Sequence, residues 1–508
     1  MNMKKNLLIL MLGLLVFSGC SKDDDTSNNF MGETPEEETP EEETPALARE
    51  DFPIQDFMYQ AMNVYYLYKS DIPELADTFF NTVPEYVEYL SQNPDPDVFF
   101  YDELLSEQDR FSFLTDDYQE LENSFSGVSK SNGLKFQLVR FSNTNNIFGY
   151  VRYVAGNSPA ADSEIKRGDL FTEIDGTPLT IDNYQSLIGR DSYTLTLATI
   201  VENAEGGRTV TQTGETVTLT KETNFAENPI LIAKTLDVEG QKIGYLMYNS
   251  FVSQYDDELN SAFAQFKADG ITDLVLDLRY NGGGSVATAI DLTSMITGQF
   301  DGEVLIKEQW NAEAMAYFES EEPESLLNRF NSTIYTGTSE EQPINSLNLN
   351  RLYVIGTEST ASASELTVIG LEPYIPVTLV GTTTVGKFQA SATLYDGDNF
   401  GKNNLNPEHK YAIQPLIYTY SNADGTVGPP TGLTPDVTKE EDIANLGVLG
   451  EPTEPLLASA LQAITGKSFV SKNRKKPFDI PVKTVGESDM FSPTFQKMYD
   501  NNLPVIKK

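Results

Sequence analysis

Cysteine, histidine and tryptophan each occur once in 508 residues, at Cys20, His409 and Trp310. One cysteine excludes a disulfide framework, a thiolate metal site and, given its place near the start, a cysteine nucleophile. One histidine excludes a multi-histidine zinc centre, and any Ser-His-Asp triad would have to use His409. That residue lies in "NPEHKY", a polar stretch rich in turn formers, and reads as a lone surface histidine. Positive charge is also scarce: 35 Lys and Arg face 76 Asp and Glu, a net charge of −41. Such a balance argues against nucleic acid as a partner and against direct adhesion to anionic lipid. The carboxylates are many, yet none is spaced as a metal cage or a glycosidase pair. No metal or cofactor is implied.

The N-terminus carries Lys4 and Lys5, an apolar run over 7–17, small residues, and then Cys20. The run is too short for a spanning helix and has the layout of a secretory signal. Its ending "FSGC" resembles a bacterial lipobox, which implies acylation of Cys20 and a stable lipid anchor. The adjoining "SKDDD" resembles the acidic surface-export signal of some Gram-negative lipoproteins. These resemblances imply an exported protein anchored to the cell envelope, at the outer membrane and on its surface. "ETPEEETPEEETP" then has nothing apolar to bury and reads as an extended, self-repelling tether.

Beyond the signal (1–19) and tether (20–50), the expected architecture is multidomain α/β. Residues 51–126 show apolar positions at helical spacing (Phe57, Ala61, Val64, Tyr65, Tyr68) and predict a small helical domain. Over 127–203 the texture changes to short β-like runs, "SNGLKFQLV", "FGYVRYV", "GDLFTEIDG" and "YTLTLATIV". The stretch "AGNSPAADSEIKRGDLFTEIDGTPL" resembles a PDZ domain, with a helix opening at Ser158–Ala161 and a Gly-Asp turn before a strand. In that resemblance Gly133, Leu134, Lys135 and Phe136 form the loop whose N–H groups hold a peptide's C-terminal carboxylate, with Lys135 in place of the usual second glycine. Residues 225–467 alternate strands and helices and predict a layered α/β core. Within it, 300–350 breaks the rhythm and reads as an insertion or lid. The 468–508 tail is basic and without pattern.

Two motifs compete for Lys387. "GTTTVGK" has the letters of a phosphate loop, but Phe388 stands where the magnesium-binding hydroxyl belongs. The next residues, "FQASATLYDG", alternate like a strand, so no helix N-terminus faces an anion. A lysine can instead serve as a base beside serine, if burial lowers its pKa from about 10.4. "YVIGTESTASASELTVIGLEPY" supplies a serine: a β-run, a small-residue turn and a helix beginning near Ser362. N–H groups at such a helix start face a developing oxyanion. "TASASE" also fits a helix cap in which Glu365 completes a capping box.

"LVLDLRYNGGG", then "TASASE", then "VGKF" 25 residues after Ser362, resembles the C-terminal-processing (tail-specific) serine peptidases. The likeness runs from about residue 50 to 465. It implies Ser362 as nucleophile, Lys387 as general base, and an oxyanion hole from Ala363 with Gly283 or Gly284. The family's orienting Gln, four residues after the lysine, is Ser391 here, while Gln389 sits two after. Residues 387, 389 and 391 share one face of a strand, so Gln389 or Ser391 orients Lys387, with Gln389 favoured. The implied activity is a membrane-tethered Ser-Lys endopeptidase acting on polypeptides. An inactive peptide-binding lipoprotein and a hydrolase of another substrate are the alternatives.

Overall fold

Alternation in the strands decides which side of the central sheet each helix covers. In a computed structural model describing residues 47–202, 204, 207–469 and 476–506, Gln241–Tyr248, Asp273–Asp277, Leu352–Gly356 and Val377–Gly381 run parallel. Val437–Thr438 closes one edge, and antiparallel Ile230–Val238 the other. Leu274 and Leu276 face one layer, with Leu259, Phe263, Leu292 and Leu366 from the helices Asp256–Asp269, Val286–Thr297 and Ala363–Leu371. Val275 faces the opposite layer, with Leu456 and Leu461 of Pro455–Thr465. A parallel sheet covered on both faces needs continuous apolar strands, and "DLVLD" and "LYVIG" are buried at every position. The signal, Cys20 and most of the tether lie outside the described residues.

A second, antiparallel sheet contains all four strands expected between 127 and 203. It continues to Arg208–Thr220, beyond the expected boundary at 203. No helix opens at Ser158; that segment is a series of turns. A helix needs several residues to repay its nucleus, whereas here the Ser158 hydroxyl donates to the Ala155 carbonyl and closes a local turn. The edge strand next to Leu134–Phe141 comes from the patternless tail: Val482–Glu487 pairs antiparallel with it.

The third sheet runs Gly284–Ser285, Met498–Tyr499, Gln389–Ser391, Leu416–Asn422, Val304–Trp310, Leu327–Arg329. Val304–Trp310 and Leu327–Arg329 of the 300–350 segment are strands of this sheet, so that part of it is not a separate lid. Trp310 is buried between Tyr65, Phe318 and Tyr418. Tyr65 belongs to the first helix, Pro53–Tyr65, which shares one hydrophobic core with the central layers. The helical region also adds a short strand, Phe113–Thr115, against Ala412–Gln414, and from Leu47 onward the chain forms one body.

Candidate active site

The strand Leu352–Gly356 ends in a turn pinned to the glycine loop. Thr360 Oγ1 donates to the Leu278 carbonyl at 2.8 Å, and the Ala361 N–H to the Asn281 carbonyl at 3.1 Å. Ser362 comes next at φ 66°, ψ −117°, a conformation that non-glycine residues adopt only where their surroundings impose it. It is fully buried, and its hydroxyl bonds to none of the described residues. Only half of the expected capping box forms. Glu365 accepts the Ser362 N–H at 2.9 Å, but Ser362 Oγ returns no bond and stays available for chemistry.

Opposite Ser362, Asn281 donates to the Tyr248 carbonyl at 2.9 Å and accepts the Gly283 N–H at 2.9 Å. Gly283 and Gly284 have φ 110° and 139°. A Cβ on Gly283 would lie 2.6 Å from Ser362 Cβ, and one on Gly284 2.1 Å from the Phe251 carbonyl oxygen, so both positions require glycine. The Ala363 N–H occupies the first helical position, where a helix supplies no acceptor of its own.

Lys387 enters through the same carboxylate. Glu365 accepts the N–H groups of Gly386 (2.8 Å) and Lys387 (2.9 Å) and the Thr384 hydroxyl. One carboxylate thus joins the backbones of Ser362 and Lys387, which explains how Glu365 can be fully buried. The Lys387 side chain is also fully buried, with its ammonium nitrogen 5.2 Å from the Phe111 ring centre. Burial, and after it the neighbouring Lys497 ammonium, hold its pKa well below the ordinary lysine value. Phe388 is buried against Tyr420.

The orienting partner is the favoured Gln389, but through its backbone. Lys387 Nζ donates to the backbone carbonyl of Gln389 at 2.8 Å, not to its amide side chain. The Ser391 hydroxyl donates to the Met498 carbonyl at 2.9 Å and accepts from Gln414 at 3.1 Å, so it is engaged elsewhere. Lys387 and Ser362 share no hydrogen bond. The His409 side chain is only 7% exposed rather than on the surface. It bonds Asp396 at 3.0 Å, and its Nδ1 accepts the Tyr411 N–H, so a structural role accounts for both nitrogens.

At the other end of the cleft, the Gly133 and Leu134 N–H groups donate to the side chains of Ser131 and Asn132. Lys135 pairs with Glu227 (2.9 Å) and Asp489 (2.7 Å), and the Phe136 N–H donates to Ser488 Oγ. A cavity of about 830 Å³ connects Lys135 and Phe136 with Gly282 and Gly283. Sequence reasoning missed Asn281, Phe111 and Lys497. None stands in a local pattern, although Asn281 sits inside the glycine motif and could have been singled out there.

The model of Peptidase family S41 matches residues 242–438, and that of the Peptidase S41 N-terminal domain matches residues 53–113. Curated relatives include a carboxyl-terminal-processing protease of Picosynechococcus sp., 24% identical over 321 residues, and one of Synechocystis sp., 22% identical over 315. These matches cover 62% and 61% of this chain and 66% and 63% of the relatives, just short of two thirds of their length. Among solved structures, a Bacteroides fragilis protein assigned to the S41 proteases has a TM-score of 0.59 at 23% identity. It covers 80% of this chain and 97% of its own, and the two share a fold.

Proposed function

From the chain's membership of peptidase family S41, we propose that it is a serine endopeptidase working through a Ser362–Lys387 dyad. The observation that carries this reading is a buried, unbonded serine hydroxyl on a residue whose backbone N–H shares the Glu365 carboxylate with that of Lys387, a lysine whose burial favours its neutral form. Neutral Lys387 takes the Ser362 proton as Oγ attacks a peptide carbonyl. The oxyanion is stabilised by the Ala363 N–H and that of Gly284, because Asn281 already holds the Gly283 N–H. Lys387 then protonates the leaving amine, and water hydrolyses the acyl-enzyme. The Gln389 carbonyl positions the lysine.

The substrate is a polypeptide, captured by a PDZ-like module as an added strand along Leu134–Phe141 with its end at Gly133–Phe136. Acylated Cys20 anchors the enzyme to the cell envelope, at the outer membrane and facing outward. Cys20→Ser is expected to move the protein from the membrane fraction to the soluble fraction; a variant that still sediments with membranes would refute the anchor. Ser362→Ala is expected to abolish cleavage of an unstructured polypeptide while the folded far-ultraviolet signal persists. Cleavage retained by the purified variant would overturn the dyad.

A further inference from the structure

Residues 482–500 run through both places that a polypeptide substrate would have to occupy. Val482–Glu487 lies antiparallel on the free side of Leu134–Phe141, with Lys483 opposite Arg140 and Glu487 opposite Gln137. Chain direction there carries the segment toward Gly133 and the Leu134–Phe136 start of that strand. Ser488 Oγ accepts the Phe136 N–H, and the Asp489 carboxylate pairs with the Lys135 ammonium. The segment then crosses the glycine loop. A Cβ on Gly282 would lie 3.2 Å from the Gln496 nitrogen. One on Gly283 would lie 2.9 Å from the Lys497 carbonyl oxygen and 3.1 Å from Ser362 Oγ.

Beyond that point, Met498–Tyr499 pairs in parallel with Gly284–Ser285 on one side and with Ser391 on the other. The glycine strand and the strand after Lys387 are held together by this segment and not by each other. Removing it leaves two strand spacings, about 9.6 Å, which is the room that one extended polypeptide takes.

We propose that this C-terminal segment is a built-in occupant of the recognition edge and the catalytic cleft, which an incoming polypeptide must displace to reach Ser362. The inference rests on the peptidase reading of Ser362 and Lys387. With the segment seated, both side chains are fully buried and the dyad bond is unmade. Its seating is locally irregular. Gln496 is held at φ 51°, the pairing shifts register before Gly486, and the 830 Å³ cavity lies beneath 487–496. Lys497 places a second ammonium beside Lys387, both against the ring of Phe111. Glu487 gives the device a link between its two halves: it pairs with Arg152 of the recognition sheet and accepts from Ser359, three residues before Ser362.

The test uses the full chain, in which Cys20 is the only native cysteine. In Arg140→Cys/Lys483→Cys, oxidation locks the segment on its edge, with the disulfide checked by mass. Cleavage of an unstructured polypeptide is expected to fall about tenfold or more on oxidation and to recover on reduction; equal rates would overturn the proposal. In Ser362→Ala, which cannot cut, adding the same polypeptide is expected to speed amide exchange over 482–500 by about tenfold; unchanged exchange at saturation would overturn it. Accelerated exchange with no cleavage by the unaltered chain would sink the peptidase reading and leave displacement standing. Cleavage with unchanged exchange would do the reverse.

Discussion

Lys387→Met is expected to lower peptide-bond cleavage by about 10²–10⁴-fold, the usual contribution of a general base, while making the folded chain more stable at neutral pH. Both effects come from burial. A fully buried ammonium loses its hydration, and each unit by which its pKa is depressed costs the fold about 1.4 kcal/mol below that pKa. Between the folded pKa and the ordinary value near 10.4, the unfolded chain binds the extra proton, so this lysine's stability penalty shrinks as pH rises through that window. Methionine fills a similar volume without the charge. Urea melts of both proteins from pH 6 to 10 should therefore converge toward high pH, with the variant ahead at low pH. The unaltered enzyme's rate should rise with pH along a limb below the ordinary lysine range. A variant less stable than its parent at pH 7, or a rate limb near 10.4, would contradict the argument.

The second large effect concerns stability. Arg279 is fully buried and reaches Asp277 and Glu454, each at 2.7 Å, and Glu441 at 3.2 Å. Arg279→Met would strand buried carboxylates without their partner, and about 3–5 kcal/mol of lost stability is expected. Arg279→Lys should recover little, because a point ammonium cannot span the fork that guanidinium offers to two acids. Burial would raise the pKa of Glu441, yet Arg167 and Arg279 outweigh it and bring Glu441 down to about 2. Its contribution is therefore in full force above the ordinary carboxylate range and is lost as pH falls from about 4.5 through about 2. Thermal melts across that interval, with and without Arg279, measure both predictions. A variant melting within a degree or two of its parent would remove the network as a source of stability.

Local chemistry made half of this site legible. Ser362 could be found because a small-residue turn must separate a buried strand from a buried helix, and Lys387 because the strand after it denied a phosphate loop its helix. Gly283 and Gly284 announced backbone conformations closed to other residues. What stayed hidden depends on partners distant in sequence. Gln389 looked like an amide ligand, but its carbonyl does the work, and no side-chain pattern betrays a backbone contact. Glu365 looked like half of a cap; its bonds to Gly386 and Lys387 join positions 21 and 22 residues away. The segment 300–350 broke a helical-and-strand rhythm because its strand pairs with Leu416–Asn422, far along the chain. Val482–Glu487 is six residues of weak alternation, meaningful only beside Leu134–Phe141.

Trp310 gives the molecule an optical signal of its own. Its indole donates to Glu308 at 2.8 Å and lies 5.2 Å from the ring of Tyr418, whose hydroxyl donates to Asp500 at 2.9 Å. A further aromatic neighbour, Tyr65, donates to the Pro504 carbonyl at 2.9 Å. The chain's single indole therefore stands one residue away from the end of the C-terminal segment, at Asp500, and from the residues that follow it, at Pro504. Its emission is a one-site spectroscopic record of whether that segment is seated, readable in the unaltered protein without an added dye.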